Sequence, residues 1–208
     1  SPAPSPSPSI TTSATPKPQV FQDATGLIKV TNLYSNQLMT NPFVVKGTAV
    51  AFESTFQWEL ADNTGWVLAQ GYEMAQQPDA GIPGPFTIFG FYDKIPKSST
   101  GTLIVFEASA KDGTQIHVVK IPVKLVNESQ KVNAYFGVSR SNPNAQDCSL
   151  VYPVTRYVAK ADRNWLPYVA VNAMLQGPTA SEKAAGYYSS LPDSVKLMGT
   201  TSQTGAKA

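Results

Sequence analysis

The sequence predicts a mainly β chain that gives way to an α+β segment. Three observations carry this. Apolar residues recur at every second position over several short stretches, the period at which one strand face is buried and the other is wet. Turn-forming residues separate those stretches. Beyond residue 131 the pattern changes, and one run carries apolar residues at helical spacing.

Residues 1–25 open with SPAPSPSPSITTSATPKPQ. Such a Pro/Ser/Thr-rich tract has little to bury, and proline cannot donate to a sheet. A disordered, locally extended tether is expected.

Residues 26–127 predict a two-sheet β-sandwich. Candidate strands are 27–33, 43–52, 56–60, 66–74, 85–93, 103–108 and 117–125. Phe56, Trp58 and Leu60 alternate with Gln57 and Glu59, so Trp58 is a core residue. The run Leu103 to Ala108 is denser in apolar side chains and suits a central strand. Val119, Ile121, Val123 and Leu125 alternate with Lys120, Pro122 and Lys124, which places that strand at or near a sheet edge. The stretch Phe86 to Tyr92 is apolar on both faces. It is either a central strand covered twice or a strand with one face turned to a partner. Asp62-Asn63-Thr64-Gly65 and Asp112-Gly113 supply hairpin turns. Seven short strands in about a hundred residues suit a sandwich of immunoglobulin type.

Residues 131–208 predict a small α+β module. Val132 to Phe136 and Leu150 to Val158 are strand candidates, joined by a loop through Ser141-Asn142-Pro143-Asn144. Leu166, Val169, Ala170, Ala173 and Met174 form one apolar helical stripe. Pro167 fits only the first turn of that helix, and Gly177-Pro178 stops it. Thr179 and Glu182 have capping-box spacing for a second short helix. Val195 opens a further strand candidate.

The chain has 208 residues with 42% hydrophobic and only 14% charged side chains, at net charge +2. That charge is too small to point to nucleic acid, and no apolar run approaches the ~20 residues that span a bilayer. No phosphate loop, nucleophile elbow or zinc-protease motif occurs. One histidine and one cysteine without spacing partners make no metal site. A non-enzymatic protein without catalytic residues, cofactor or metal is therefore expected. His117 reads as a structural residue at a strand end. Cys148 is open to several readings: a buried thiol, half of a disulfide, a nucleophile or a ligand. Trp66, Tyr72, Phe89 and Phe91 are candidates for an interaction surface. They suit a protein partner or, by stacking on sugar rings, a cell-wall glycan such as peptidoglycan. Packing in the core or between domains is the competing reading of the same residues.

Two stretches resemble known families. Asn41-Pro42-Phe43, Val44 to Ala49, Phe52-Glu53-Ser54-Thr55-Phe56 and Val105 to Gly113 resemble the immunoglobulin-like domain of bacterial spore germination. Tyr135-Phe136-Gly137, Asp147 to Val154 with Arg156, and Leu175 to Thr179 with Glu182 and Gly186 resemble the first part of the sporulation and spore germination domain called GerMN. The resemblance implies an extracytoplasmic protein of the bacterial cell envelope, often a membrane-anchored lipoprotein. It would act through assembly with other envelope proteins or with itself, and would meet the membrane only through an N-terminal lipid anchor outside this chain. The implied fold of the second module is a small sheet on two helices, similar to ring-building modules of secretion machines. The GerMN family continues with paired strands, a second long helix and a final strand, so an incomplete module is expected here. It also implies that Cys148 is half of a disulfide whose partner lies in that continuation.

Overall fold

A computed structural model describes residues 17–139, 150–192 and 194–195. Cys148 and the 141–144 loop lie outside the described residues, as does any strand continuing past Val195.

Eleven strands run in chain order before the helices: β1 (Gln19–Gln22), β2 (Ile28–Leu33), β3 (Gln37–Met39), β4 (Phe43–Ala49), β5 (Thr55–Asp62), β6 (Val67–Met74), β7 (Gly84–Gly90), β8 (Thr100–Ala108), β9 (Gln115–Leu125), β10 (Ser129–Val138) and β11 (Val151–Ala159). Helices α1 (Leu166–Leu175) and α2 (Ala180–Ala184) and the two-residue strand β12 (Tyr187–Tyr188) complete it.

The first nine strands form an immunoglobulin-like sandwich. One sheet has the order β1-β2-β4-β7 and the other β3-β9-β8-β5-β6. Pairing is antiparallel except for β3 against β9. Ile28, Val30, Val45 and Ile88 of the first sheet meet Phe56, Leu60, Leu103, Val105 and Ile121 of the second, all fully buried. Burial of this apolar surface is the main stabilising term.

Each strand expected in the sandwich is present, and β8 is central as its composition suggests. Two strands are additions. Residues 19–22, expected in the tether, pair with β2 as β1. Phe21 carries that strand, since it packs against the sandwich core. The short β3 pairs outside β9, so β9 lies one strand in from the edge. Of the two readings of β7, the central one does not hold. The strand lies at the sheet edge. Both its faces are apolar because the inner one meets the sandwich core and the outer one meets the chain's own C-terminal part.

That part is a three-stranded sheet, β11-β10-β12, with α1 packed on β10. Val132, Ala134, Phe136 and Val158 meet Val169 and Ala173 of α1 in a second core. The two cores interlock. Phe91 packs against the second, while Ala159 of β11 belongs to the first. Pro167 sits in the first turn of α1, and Gly177, with φ +69°, adopts the left-handed conformation that stops it. The capping box forms as expected: the Thr179 hydroxyl accepts from the Glu182 N–H, and the Glu182 carboxylate accepts from the Thr179 N–H at 2.6 Å. Among the described residues no helix is long and apolar enough to cross a membrane.

Candidate functional site

The four aromatic candidates do not form one surface. Trp66 stands in the β5–β6 hairpin, 42% exposed. Asp62 shapes that hairpin by accepting from the N–H groups of Thr64, Trp66 and Lys97 and from the Thr64 hydroxyl. Burial alone would raise the Asp62 pKa, but these donors together hold it below its ordinary value. Lys97 places its ammonium 3.9 Å from the centre of the Trp66 ring, and the Lys94 ammonium lies 5.5 Å away. Both are cation–π arrangements. Tyr72 is 74% exposed on the outer face of β6, opposite Gln57. Six residues along a strand separate it from Trp66 by roughly 20 Å.

Phe89 and Phe91 lie elsewhere, at the junction of the sandwich with α1, and both are half-buried. Phe89 packs on Trp165 with ring centres 5.1 Å apart, and Phe91 meets Tyr168 edge-on at 4.9 Å. Trp165 and Tyr168 are themselves 5.6 Å apart. Polar bonds fix this junction. The Asn172 amide donates to Asp93 at 3.1 Å and the Gln176 amide donates to the same carboxylate oxygen. The Ala159 N–H donates to the Asp93 carbonyl at 2.8 Å, and the Asp162 N–H to the Asn41 carbonyl at 2.9 Å. Asn41 is buried, and its amide both donates to and accepts from the Tyr92 main chain. A cavity of about 290 Å³ remains beside these rings, where β6 and β7 meet α1.

A second constellation was not singled out in the sequence. His117 has φ +51° and sits where the β8–β9 register slips. The bulge turns its ring between two buried carboxylates. Its Nδ1 lies 3.0 Å from the Thr25 hydroxyl and 3.4 Å from Asp23, and its Nε2 lies 3.9 Å from Glu107. Glu107 accepts from the Phe52 N–H at 2.9 Å and lines a cavity of about 560 Å³ with Phe52, Glu53 and Ser54. Glu53 and Ser54 also have positive φ, 52° and 60°. Left-handed backbone at non-glycine residues is uncommon and persists only where surrounding contacts enforce it. Burial would raise the Asp23 pKa, but the Thr25 hydroxyl, the Ile28 and Thr25 N–H groups and His117 outweigh it and lower it to about 2. The two imidazole nitrogens face different carboxylates, so the three side chains cannot share one metal ion. Among the described residues no group of three or more His, Cys, Asp or Glu side chains could hold one. What the geometry does is tie the β1–β2 loop of one sheet to β8 and β9 of the other. The sequence signal for it was the failure of strict alternation around His117, ahead of Val119.

In the C-terminal part, the Arg156 guanidinium donates to Glu182 at 2.6 Å and to the Gly177 carbonyl at 3.0 Å. Arg156 thus binds β11 to the helix stop and to the capping box.

No curated protein and no solved structure matches the chain. Residues 27–114, from the start of β2 to the β8–β9 turn, match the family described as the immunoglobulin-like domain of bacterial spore germination.

Proposed function

We propose that the chain is a non-enzymatic interaction protein of the bacterial cell envelope, related to sporulation and spore germination and acting by protein–protein assembly. Its C-terminal part serves as a GerMN-like module. Its N-terminal tract holds the folded part away from the membrane as the spacer of a lipoprotein-type anchor. One observation supports the assembly reading most. Helix α1 covers one face of the three-stranded sheet, and the opposite face shows Tyr135, Val151 and Tyr157 at 48%, 49% and 62% exposure. The same sheet ends at β11, whose nine residues form an outer edge. A face that exposes these apolar side chains, beside an edge unpaired among the described residues, is suited to strand addition by a partner. Pro153 lacks an N–H and restricts which registers such a partner could adopt.

A photo-crosslinking residue at position 157, incorporated in cells that make the full protein, tests this. Capture of one defined protein from position 157 and not from the covered position 173 is expected. Crosslinking at neither position, under conditions where the protein is abundant and folded, would overturn the reading.

A specific observation also favours glycan binding as a second reading: the exposed Trp66 ring with two lysines beside it. Saturable binding to purified peptidoglycan that is lost in Trp66→Ala or Tyr72→Ala would place that reading first.

A further inference from the structure

The cavity of about 290 Å³ at the sandwich–α1 junction has an unusual lining. Four aromatic rings, Trp58, Phe89, Phe91 and Tyr168, surround it together with Asp93 and two amides. Its polar chemistry can be worked out group by group. Asp93 is half-buried and makes no ion pair among the described residues. Lys94, the next residue, sends its ammonium to the Val67 carbonyl at 3.0 Å, beside Trp66. The carboxylate oxygen that accepts from Asn172 and Gln176 is Oδ2. A carboxylate only accepts, so each amide must turn its NH₂ toward Asp93. That leaves Asp93 Oδ1 and the Asn172 carbonyl oxygen without a donor among the described residues, and the Gln70 amide also lines the cavity. Burial, and after it the Asp93 charge, raises the Tyr168 pKa, so the phenol stays neutral.

A cavity walled by aromatic rings and carrying one carboxylate without an ion-pair partner among the described residues suits a positive group. Ring faces attract cations, most strongly when water is excluded. A neutral sugar hydroxyl could accept from the Gln70 amide or the Tyr168 hydroxyl, but it would leave the Asp93 charge without a counter-ion. Junctions between packed units are common places for small-ligand sites, and this volume lies at their lower end.

We propose that this cavity binds a primary alkylammonium group, with Asp93 as its counter-ion and Phe91, Tyr168 and Trp58 as its walls. The four-carbon stem of a lysine-type side chain matches the apolar walls, and the ammonium meets Asp93. The inference is independent of the assembly reading and of the glycan reading.

The test uses the full chain and follows the indole N–H resonances of its three tryptophans by NMR during titration. The probes are n-butylammonium chloride, the neutral alcohol n-pentanol, which is one methylene longer, and lysine blocked at both its α-amino and carboxyl groups. Butylammonium is expected to shift Trp58 saturably and leave Trp66 unmoved, with pentanol producing no saturable shift. Asp93→Asn should weaken the binding by about tenfold or more. Because Asp93→Asn also alters the contacts to α1, Phe91→Leu serves as a second variant. It keeps the carboxylate, removes one wall and should weaken binding severalfold. Tighter binding of blocked lysine than of butylammonium would assign a peptide-borne side chain, and equal binding a free amine. Saturable binding of pentanol with equal strength, affinity unchanged in both variants, or no saturation by either cation would overturn the proposal.

Discussion

Arg156 on β11 and Glu182 in the first turn of α2 form an ion pair at 2.6 Å, 26 residues apart in the chain and with side chains only 16% and 17% exposed. The same Glu182 carboxylate closes the capping box, so one side chain serves both the helix start and the sheet. Arg156→Gln is expected to cost about 2 kcal/mol, between the values for exposed and fully buried pairs. A double-mutant cycle with Glu182→Gln, read by denaturant unfolding, should return a favourable coupling energy.

The Phe43 ring lies across Gly90 on the neighbouring strand and meets Trp58 edge-on at 5.7 Å. A Cβ at position 90 would sit 1.9 Å from the ring. Gly90→Ala should therefore destabilise by about 1–3 kcal/mol through overpacking. The added substitution Phe43→Leu should restore part of the loss. A thermal melt of the single and double variants checks this.

Asp23 gives the sandwich an acid sensitivity. Its pKa is about 2 in the fold against 3.8 ordinarily. Between those values the unfolded chain binds more protons, so stability falls as pH drops from about 4 to about 2. Above that window the carboxylate contributes on the order of 2 kcal/mol. Asp23→Asn should lose about that much at pH 7 and almost nothing at pH 2. Urea unfolding at the two pH values measures the difference.

Two tryptophans should differ strongly in the cost of truncation. Trp58 is 6% exposed in the sandwich core, and Trp66 is 42% exposed in a hairpin. Trp58→Ala is expected to cost about 3–5 kcal/mol. Trp66→Ala should cost under about 1 kcal/mol, the scale of an exposed cation–π contact. Denaturation midpoints of the two variants separate them.

The strands of the sandwich were legible because each carries its own period-two signal. What escaped was short or non-local. The three residues of β3 are held by parallel pairing to β9, which begins 76 positions after the end of β3, and nothing in Gln37–Met39 itself announces a strand. The four residues of β1 look like the end of a polar tract until Phe21 finds the core. The apolar double face of β7 was visible, but its cause was not: composition cannot distinguish a strand between two neighbours from an edge strand covered by a helix later in the chain. The Asp23–His117–Glu107 constellation joins residues from three strand regions through a bulge. Only the interrupted alternation beside His117 hinted at it.

The placement of β1 has a mechanical consequence. A pull transmitted along the N-terminal segment reaches the sandwich at Gln19, on the outermost strand of its sheet. Behind that strand lies buried Asp23, bonded to the Ile28 N–H and facing the imidazole of the opposite sheet. Peeling β1 away breaks the few hydrogen bonds to β2 one after another. Going further requires extracting a buried carboxylate from its donors all at once. The force needed should therefore rise sharply at Asp23, making this loop a mechanical stop that shields the core from load on the leader segment.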